Sequence, residues 1–120
     1  MEKYLLWDNE NIVLDYYPAK NIKTSATVLI FPGGAYAGHA DYEGEDYAKK
    51  LNTIGMSAFV LKYRVAPNVF PAPLLDARRA MRFIRFHAEK FGVDKGKILV
   101  AGSSAGGHLA ALLSTYREKK

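Results

Sequence analysis

Three apolar runs, each closed by glycine or proline and each separated from the next by helical periodicity, leave this chain little choice of architecture. Ala26 to Phe31 (Ala-Thr-Val-Leu-Ile-Phe) ends at Pro32-Gly33-Gly34, Met56 to Tyr63 leads into a proline-marked loop at Pro67, Pro71 and Pro73, and Ile98 to Ala101 ends at Gly102. Continuous apolar runs of this length suit strands buried on both faces. Asp41 to Ile54 reads as a helix with Tyr47, Leu51 and Ile54 on one stripe and Gly55 as its stop. Leu74 to Phe91 repeats apolar residues every three or four positions (Leu74, Ala77, Met81, Ile84, Ala88) and is closed by Gly92. Asn11 to Tyr17 reads as an early strand and Ala105 to Tyr116 as a last helix. Alternating strands and helices predict an α/β fold, a mostly parallel sheet with right-handed crossovers and helices on both faces. In such sheets ligands sit beyond the carboxyl ends of the strands, which directs attention to the turns after Phe31, Tyr63 and Ala101.

One domain is expected, spanning residues 1–120. With 49% hydrophobic and 24% charged residues the chain is too apolar for disorder, and no uncharged run reaches the roughly 18 residues of a membrane span. Met1 to Asp8 holds no continuous apolar segment of a signal peptide, so a cytoplasmic location is expected. Zero cysteines exclude disulfides, thiolate zinc sites and a cysteine nucleophile. The net charge of +5 is concentrated after residue 60, where twelve Lys/Arg face four Asp/Glu. Its densest part, Arg78, Arg79, Arg82 and Arg85, falls opposite the apolar stripe of the second helix. Such a pattern reads as a solvated helix face rather than a phosphate-binding surface, since no nucleic-acid-binding motif accompanies it.

Gly102-Ser103-Ser104-Ala105-Gly106 fits G-x-S-x-G between a strand run and a helix run, the context in which that motif lifts a serine onto a sharp turn. Ser104 is the candidate nucleophile. Gly102 and Gly106 remove side chains that would collide with the flanking strand and helix, and the Ala105 N–H, at a helix N-terminus, is a candidate oxyanion donor. Read alone, the pentapeptide also fits a serine that merely caps a helix. The earlier turn Phe31-Pro32-Gly33-Gly34-Ala35-Tyr36 offers Gly34 and Ala35 as further N–H donors, although a glycine pair is also common turn punctuation. It misses the G-x-G-x-x-G and G-K-[ST] patterns of nucleotide sites.

With both turns placed, the sequence resembles the α/β-hydrolase superfamily, specifically the acetyl esterase and lipase group related to hormone-sensitive lipase and to bacterial sugar and xylan deacetylases. The resemblance runs from about Ile12 to Tyr116. It rests on the glycine loop, Asp41-Tyr42-Glu43-Gly44, Lys62-Tyr63-Arg64-Val65-Ala66-Pro67, Pro71-Ala72-Pro73-Leu74-Leu75-Asp76, and Gly102-Ser103-Ser104-Ala105-Gly106-Gly107-His108-Leu109-Ala110. It implies a partial α/β-hydrolase fold and acyl transfer on small acyl esters such as acetylated sugars, with Ser104 as nucleophile and Gly34, Ala35 and Ala105 as oxyanion hole. Pro32 and Ala35 depart from the histidine and third glycine that lipases of the group often carry there.

In this fold the triad acid and histidine follow the elbow on later strand ends, and sixteen residues follow Ser104. The expectation is therefore an N-terminal half whose activity alone is absent or very weak. The alternative is an inactive fragment that acts through association. His108 reads as a structural residue of the elbow helix, His39 and Tyr36 as possible substrate contacts beside the glycine loop, His87 as solvated, and Asp76 as a helix-start charge. No metal-ligand spacing occurs, and neither metal nor cofactor is expected. The expected partners are a small acyl ester and either a second copy or a complementing C-terminal half, with no nucleic acid and no membrane.

Overall fold

β3 (Thr27–Phe31) is apolar at four of its five positions and buried along its whole length. A computed structural model of the protein describes residues 1–6, 13–31, 41–62 and 72–102, with backbone alone for 41–43, 62, 72–74 and 102. β3 lies between two parallel neighbours, β4 (Ser57–Lys62) and β5 (Ile98–Gly102). β2 (Val13–Tyr17) pairs antiparallel with β4, and β1 (Glu2–Leu5) antiparallel with β2. The sheet order is β1-β2-β4-β3-β5. Four of the five strands point the same way and β2 alone is reversed, so the sheet is mixed, with a parallel core.

Helices cover both faces because residues alternate along the strands. Leu14, Tyr16, Leu29, Phe31, Phe59 and Leu61 pack against α2 (Ala72–Phe86) and α3 (Ala88–Phe91). On the opposite face Tyr17, Val28, Ile30, Ala58 and Val60 pack against α1 (Asp41–Thr53) through Ala48 and Leu51. At the centre of the first face Tyr16 stacks on Phe59 at 4.7 Å, and both meet the Phe91 ring within 4.9 Å. These ring contacts add to the burial of the rings. The Tyr16 hydroxyl donates to the Phe91 carbonyl at 3.3 Å. Burial pushes its phenol pKa up, and a hydrogen bond with Ser57 pulls in the other direction.

At the amino ends of the parallel strands, polar side chains satisfy the backbone. Thr27 Oγ1 donates to the Ser57 carbonyl at 2.6 Å, and Ser57 Oγ accepts from the Ala19 N–H at 3.0 Å. Asn52 Nδ2 donates to the Tyr17 and Met56 carbonyls at 3.0 and 2.9 Å, tying the end of α1 to β2 and to the residue that precedes β4.

Several boundaries and faces differ from the sequence reading. β1 carries none of the apolar patterning of the inner strands. It is a short, largely exposed edge with Glu2 and Lys3 on it, which is how edge strands resist pairing with other chains. Lys3 bonds Asp15 of β2 at 3.1 Å, so a carboxylate can stay buried within the sheet. α1 turns Gly44, Ala48 and Leu51 toward the sheet while Tyr47 and Ile54 stand in solvent, because small residues let the helix come close to β4. α2 starts at Ala72, taking Pro73 into its first turn, where a missing N–H leaves nothing unsatisfied. The helix expected to run unbroken to Phe91 is interrupted at His87 (φ −102°, ψ 19°). That residue, expected in solvent, lies half-buried against Phe83 and Phe86. The helix expected over Ala105–Tyr116 lies outside the described residues, as do Asn11, Ile12 and Tyr63. No described helix is long and apolar enough to cross a membrane.

Gly55 and Gly92, expected as helix stops, both have positive φ, at 85° and 67°. A Cβ on Gly55 would lie 2.7 Å from Lys23 Cβ and 2.9 Å from the Asn21 carbonyl, whereas one on Gly92 would meet nothing within 4 Å. Gly92→Ala should therefore cost only the left-handed conformation, about 1–2 kcal/mol. Gly55→Ala should cost clearly more in the same urea titration; equal losses would show that the Lys23 segment gives way freely.

Candidate active site

Phe31 and Gly102, the last residues of β3 and β5, are direct register partners in the parallel pair. The two turns singled out in the sequence therefore leave the sheet side by side, from strands about 4.8 Å apart. The chain leaves β3 for β4 on one side, with α1 on one face. It leaves β4, crosses back over β3 along the other face through α2 and α3, and enters β5 on the far side. In open α/β sheets, ligand sites lie beyond the carboxyl ends of the strands, which is the end at which Phe31 and Gly102 stand.

Gly102 closes β5. Ser104, Ala105 and Gly106, and the loop residues Gly34, Ala35, Tyr36 and His39, lie outside the described residues, as does His108. The strands thus establish where the two turns depart, at one level of the sheet and on adjacent strands.

Asp76 differs from its sequence reading. Its side chain, on the second turn of α2, is fully buried. The first turn of α2 carries no acid, so Asp76 is a buried residue of the helix body and not a helix-start charge. Among the described residues no buried side-chain nitrogen or oxygen lacks a hydrogen-bond partner, so this carboxylate is engaged. The signal was present in the sequence: Asp76 is in phase with Ala80 and Ile84, both fully buried, at successive steps of four. Because α2 begins where the chain returns from the carboxyl end of β4, Asp76 sits toward the end of the sheet from which the turns emerge.

A groove of about 700 Å³ runs along β2 and α1, lined by Lys3, Asp15, Tyr17, Glu45, Lys49 and Asn52 among others. No residue of β3 or β5 lines it. Resolved pKa shifts likewise fall elsewhere. The Tyr4 phenol is pushed up to about 12, first by its hydrogen bond to the Glu2 carboxylate and then by burial. On α1, Glu45 is lowered and Lys49 raised by their 2.7 Å ion pair. No group of three or more His, Asp or Glu that could hold a metal gathers among the described residues.

The BD-FAE family model matches residues 14–120, nearly the whole chain. The chain belongs to the BD-FAE family. It is 40% identical over 114 residues to Esterase LipC of Mycobacterium tuberculosis, covering 92% of this chain and 28% of that protein. Among solved structures, an acetyl ester-xyloside bifunctional hydrolase from Caldicellulosiruptor lactoaceticus matches with a TM-score of 0.85 and 42% identity over 95% of this chain and 46% of that one. MGS-M1, an alpha/beta hydrolase from a Medee basin deep-sea metagenome library, matches with a TM-score of 0.87 and 34% identity, covering 99% of this chain and 52% of that one. The fold is that of the α/β hydrolases, and the lineage is one of carboxylic-ester hydrolases. The chain spans about half the length of these solved relatives and little more than a quarter of the curated esterase.

Removing the Asp76 carboxylate should expose how much of α2 depends on it. Asp76→Leu should lose about 1–3 kcal/mol in urea unfolding by stranding a buried partner. An unchanged midpoint would show that water or a side-chain shift satisfies that partner.

Proposed function

We propose that this chain carries the nucleophile half of a serine carboxylesterase that removes small acyl groups, such as acetyl, from sugars. The observation that carries the proposal is the register of Phe31 with Gly102, which starts the glycine loop and the Gly102–Gly106 motif from neighbouring strands. In this reading Ser104 attacks the ester carbonyl carbon, its proton passes to a histidine base, and the carbonyl oxygen takes up the electron pair. The Gly34, Ala35 and Ala105 N–H groups hold that oxyanion. Collapse breaks the bond to the sugar oxygen, which takes the proton back from the histidine and leaves as the alcohol; water then attacks the acyl-serine carbonyl, frees the acid and restores Ser104. We assign the acid and the histidine of the triad to neither Asp76 nor any of the three histidines; in the relatives, about as much chain again is available to supply them. The small-acyl, sugar-linked substrate class is supported by the relative named an acetyl ester-xyloside bifunctional hydrolase.

Without an assigned base, Ser104 stays weakly nucleophilic. The 120-residue chain should hydrolyse an aryl acetate only slightly above background. It should still be labelled slowly by an alkyl fluorophosphonate, with one adduct at Ser104 in peptide mass spectra and none in Ser104→Ala. Labelling at another residue overturns the assignment, and fast turnover lost in Ser104→Ala overturns the division of the triad.

A second reading, association with another copy, is favoured by β5. It is the outermost strand of the described sheet, it carries no charge, and Leu99 is 56% exposed on it. An uncharged strand edge is a template for a second strand, and two-fold pairing covers it on both copies. Light scattering after size exclusion should give twice the 13.3 kDa chain mass at micromolar concentration. A monomer at all concentrations removes this reading.

A further inference from the structure

At the amino ends of the parallel strands, main-chain hydrogen bonds lace three loops into one surface. The Lys23 N–H donates to the Gly55 carbonyl at 2.9 Å, which ties the 18–26 loop to the end of α1. The Ser25 carbonyl accepts from the Asp94 N–H at 2.8 Å, and the Thr27 N–H donates to the Lys97 carbonyl at 3.1 Å, which ties the same loop to the turn before β5. α2 runs from the carboxyl ends of the strands to this end of the sheet, and Phe86 is its last residue. The turns after Phe31 and Gly102 leave from the opposite end.

Large apolar side chains stand in solvent at this end: Ile22 is 54% exposed, Ile54 62% and Phe86 85%. One such residue would call for no account, but three on one end of a molecule, set among cations, do. Lys20, Lys23, Arg85, Lys95 and Lys97 are exposed beside them, and among the described residues none of the five is in an ion pair. Lys90 is also there, held over the Tyr4 ring. Against these cations, residues 18–26, 54–56 and 85–97 carry only the carboxylates Glu89 and Asp94, and Asp94 Oδ1 accepts from the Gly96 N–H. Glu2, at the start of β1, accepts from the Tyr4 hydroxyl.

We propose that this end of the molecule docks peripherally on an anionic lipid surface, with Ile22, Ile54 and Phe86 entering the headgroup region and Arg85 and the lysines meeting lipid phosphates. Apolar side chains gain by entering the boundary between headgroups and acyl chains, and cations gain from the negative potential of an anionic leaflet. Each cation near such a surface is worth roughly a fivefold gain in affinity. RNA also offers phosphates, but it gives two isoleucines nothing to enter, and a single exposed ring is no stacking platform. These residues are scattered through the sequence, which accordingly read as having no membrane partner; only the lacing of the loops puts them on one face. Docked this way, the chain turns the ends of β3 and β5 toward water and leaves the candidate site open.

The test is co-sedimentation of the 120-residue chain with vesicles of phosphatidylcholine alone and of equal parts phosphatidylcholine and phosphatidylglycerol, beside a gel shift with poly(U) RNA. The mixed vesicles should carry the protein down, and phosphatidylcholine alone should not. Lys97→Gln should weaken binding roughly fivefold, whereas Lys49→Gln, the same change in net charge on the side of α1, should bind like the wild type. Phe86→Ser and Ile22→Ser should each weaken binding several-fold; both side chains are exposed, so their melting curves should overlay the wild type. Ser104→Ala should bind vesicles as the wild type does, so this experiment and the fluorophosphonate labelling fail independently of each other. Equal binding to both vesicles, binding to neither, wild-type binding by both serine variants, equal losses in Lys97→Gln and Lys49→Gln, or binding to poly(U) as tight as to the mixed vesicles would each overturn the proposal.

Discussion

The parallel pairing of β3 with strands on both its edges is the constraint from which the rest of the structure follows. A strand with two hydrogen-bonded neighbours and a helix on each face has no route to solvent, and all of β3 is accordingly buried. Parallel neighbours cannot be joined by a tight hairpin, so each link must cross over through a helix. α1 and the α2–α3 pair are those crossovers. Because β4 and β5 flank β3 on opposite sides, right-handed crossovers of both links put the helices on opposite faces. One strand thus determines both cores.

The same arrangement bears on the proposed chemistry. Turns leaving adjacent parallel strands emerge at the same end of the sheet, and the Phe31–Gly102 register puts these two at the same level. The proposed nucleophile on one turn and the proposed N–H donors on the other need that closeness, since an oxyanion must be within hydrogen-bond reach of donors from both. Rigid strands behind the turns fix their points of departure more firmly than loops could. The opposite end of the sheet serves another purpose. There Thr27, Ser57 and Asn52 satisfy backbone groups, and main-chain hydrogen bonds lace three loops into one surface.

Legibility varied with burial. The strands flanked by neighbours were readable because burial on both faces demands unbroken apolar runs, as in Thr27–Phe31 and Ser57–Lys62. β1 was not, because an edge strand needs no such run and its Glu2 and Lys3 read as a polar terminus. The stops at Gly55 and Gly92 were readable because positive φ selects glycine. The inward face of α1 was read only in part: Leu51 of the expected stripe packs on the sheet, but Tyr47 is exposed and the small Gly44 and Ala48 are buried in its place. Asp76 shows the converse case, a charge buried where the helical phase alone places it inside.

By itself the sequence determined the alternation of the inner strands with their helices, the glycine stops at Gly55 and Gly92 and the serine and glycine motifs at two strand ends, because each depends on local backbone preference and on the period of apolar residues. Strand order, the reversal of β2, the pairing of Phe31 with Gly102 and the lacing of the 18–26 loop to Gly55 and Asp94 were decided only by the tertiary structure. Each of these joins residues far apart in the chain. Their partners are chosen by which faces and edges remain to be covered once the helices have crossed over, and local preference carries no record of that choice.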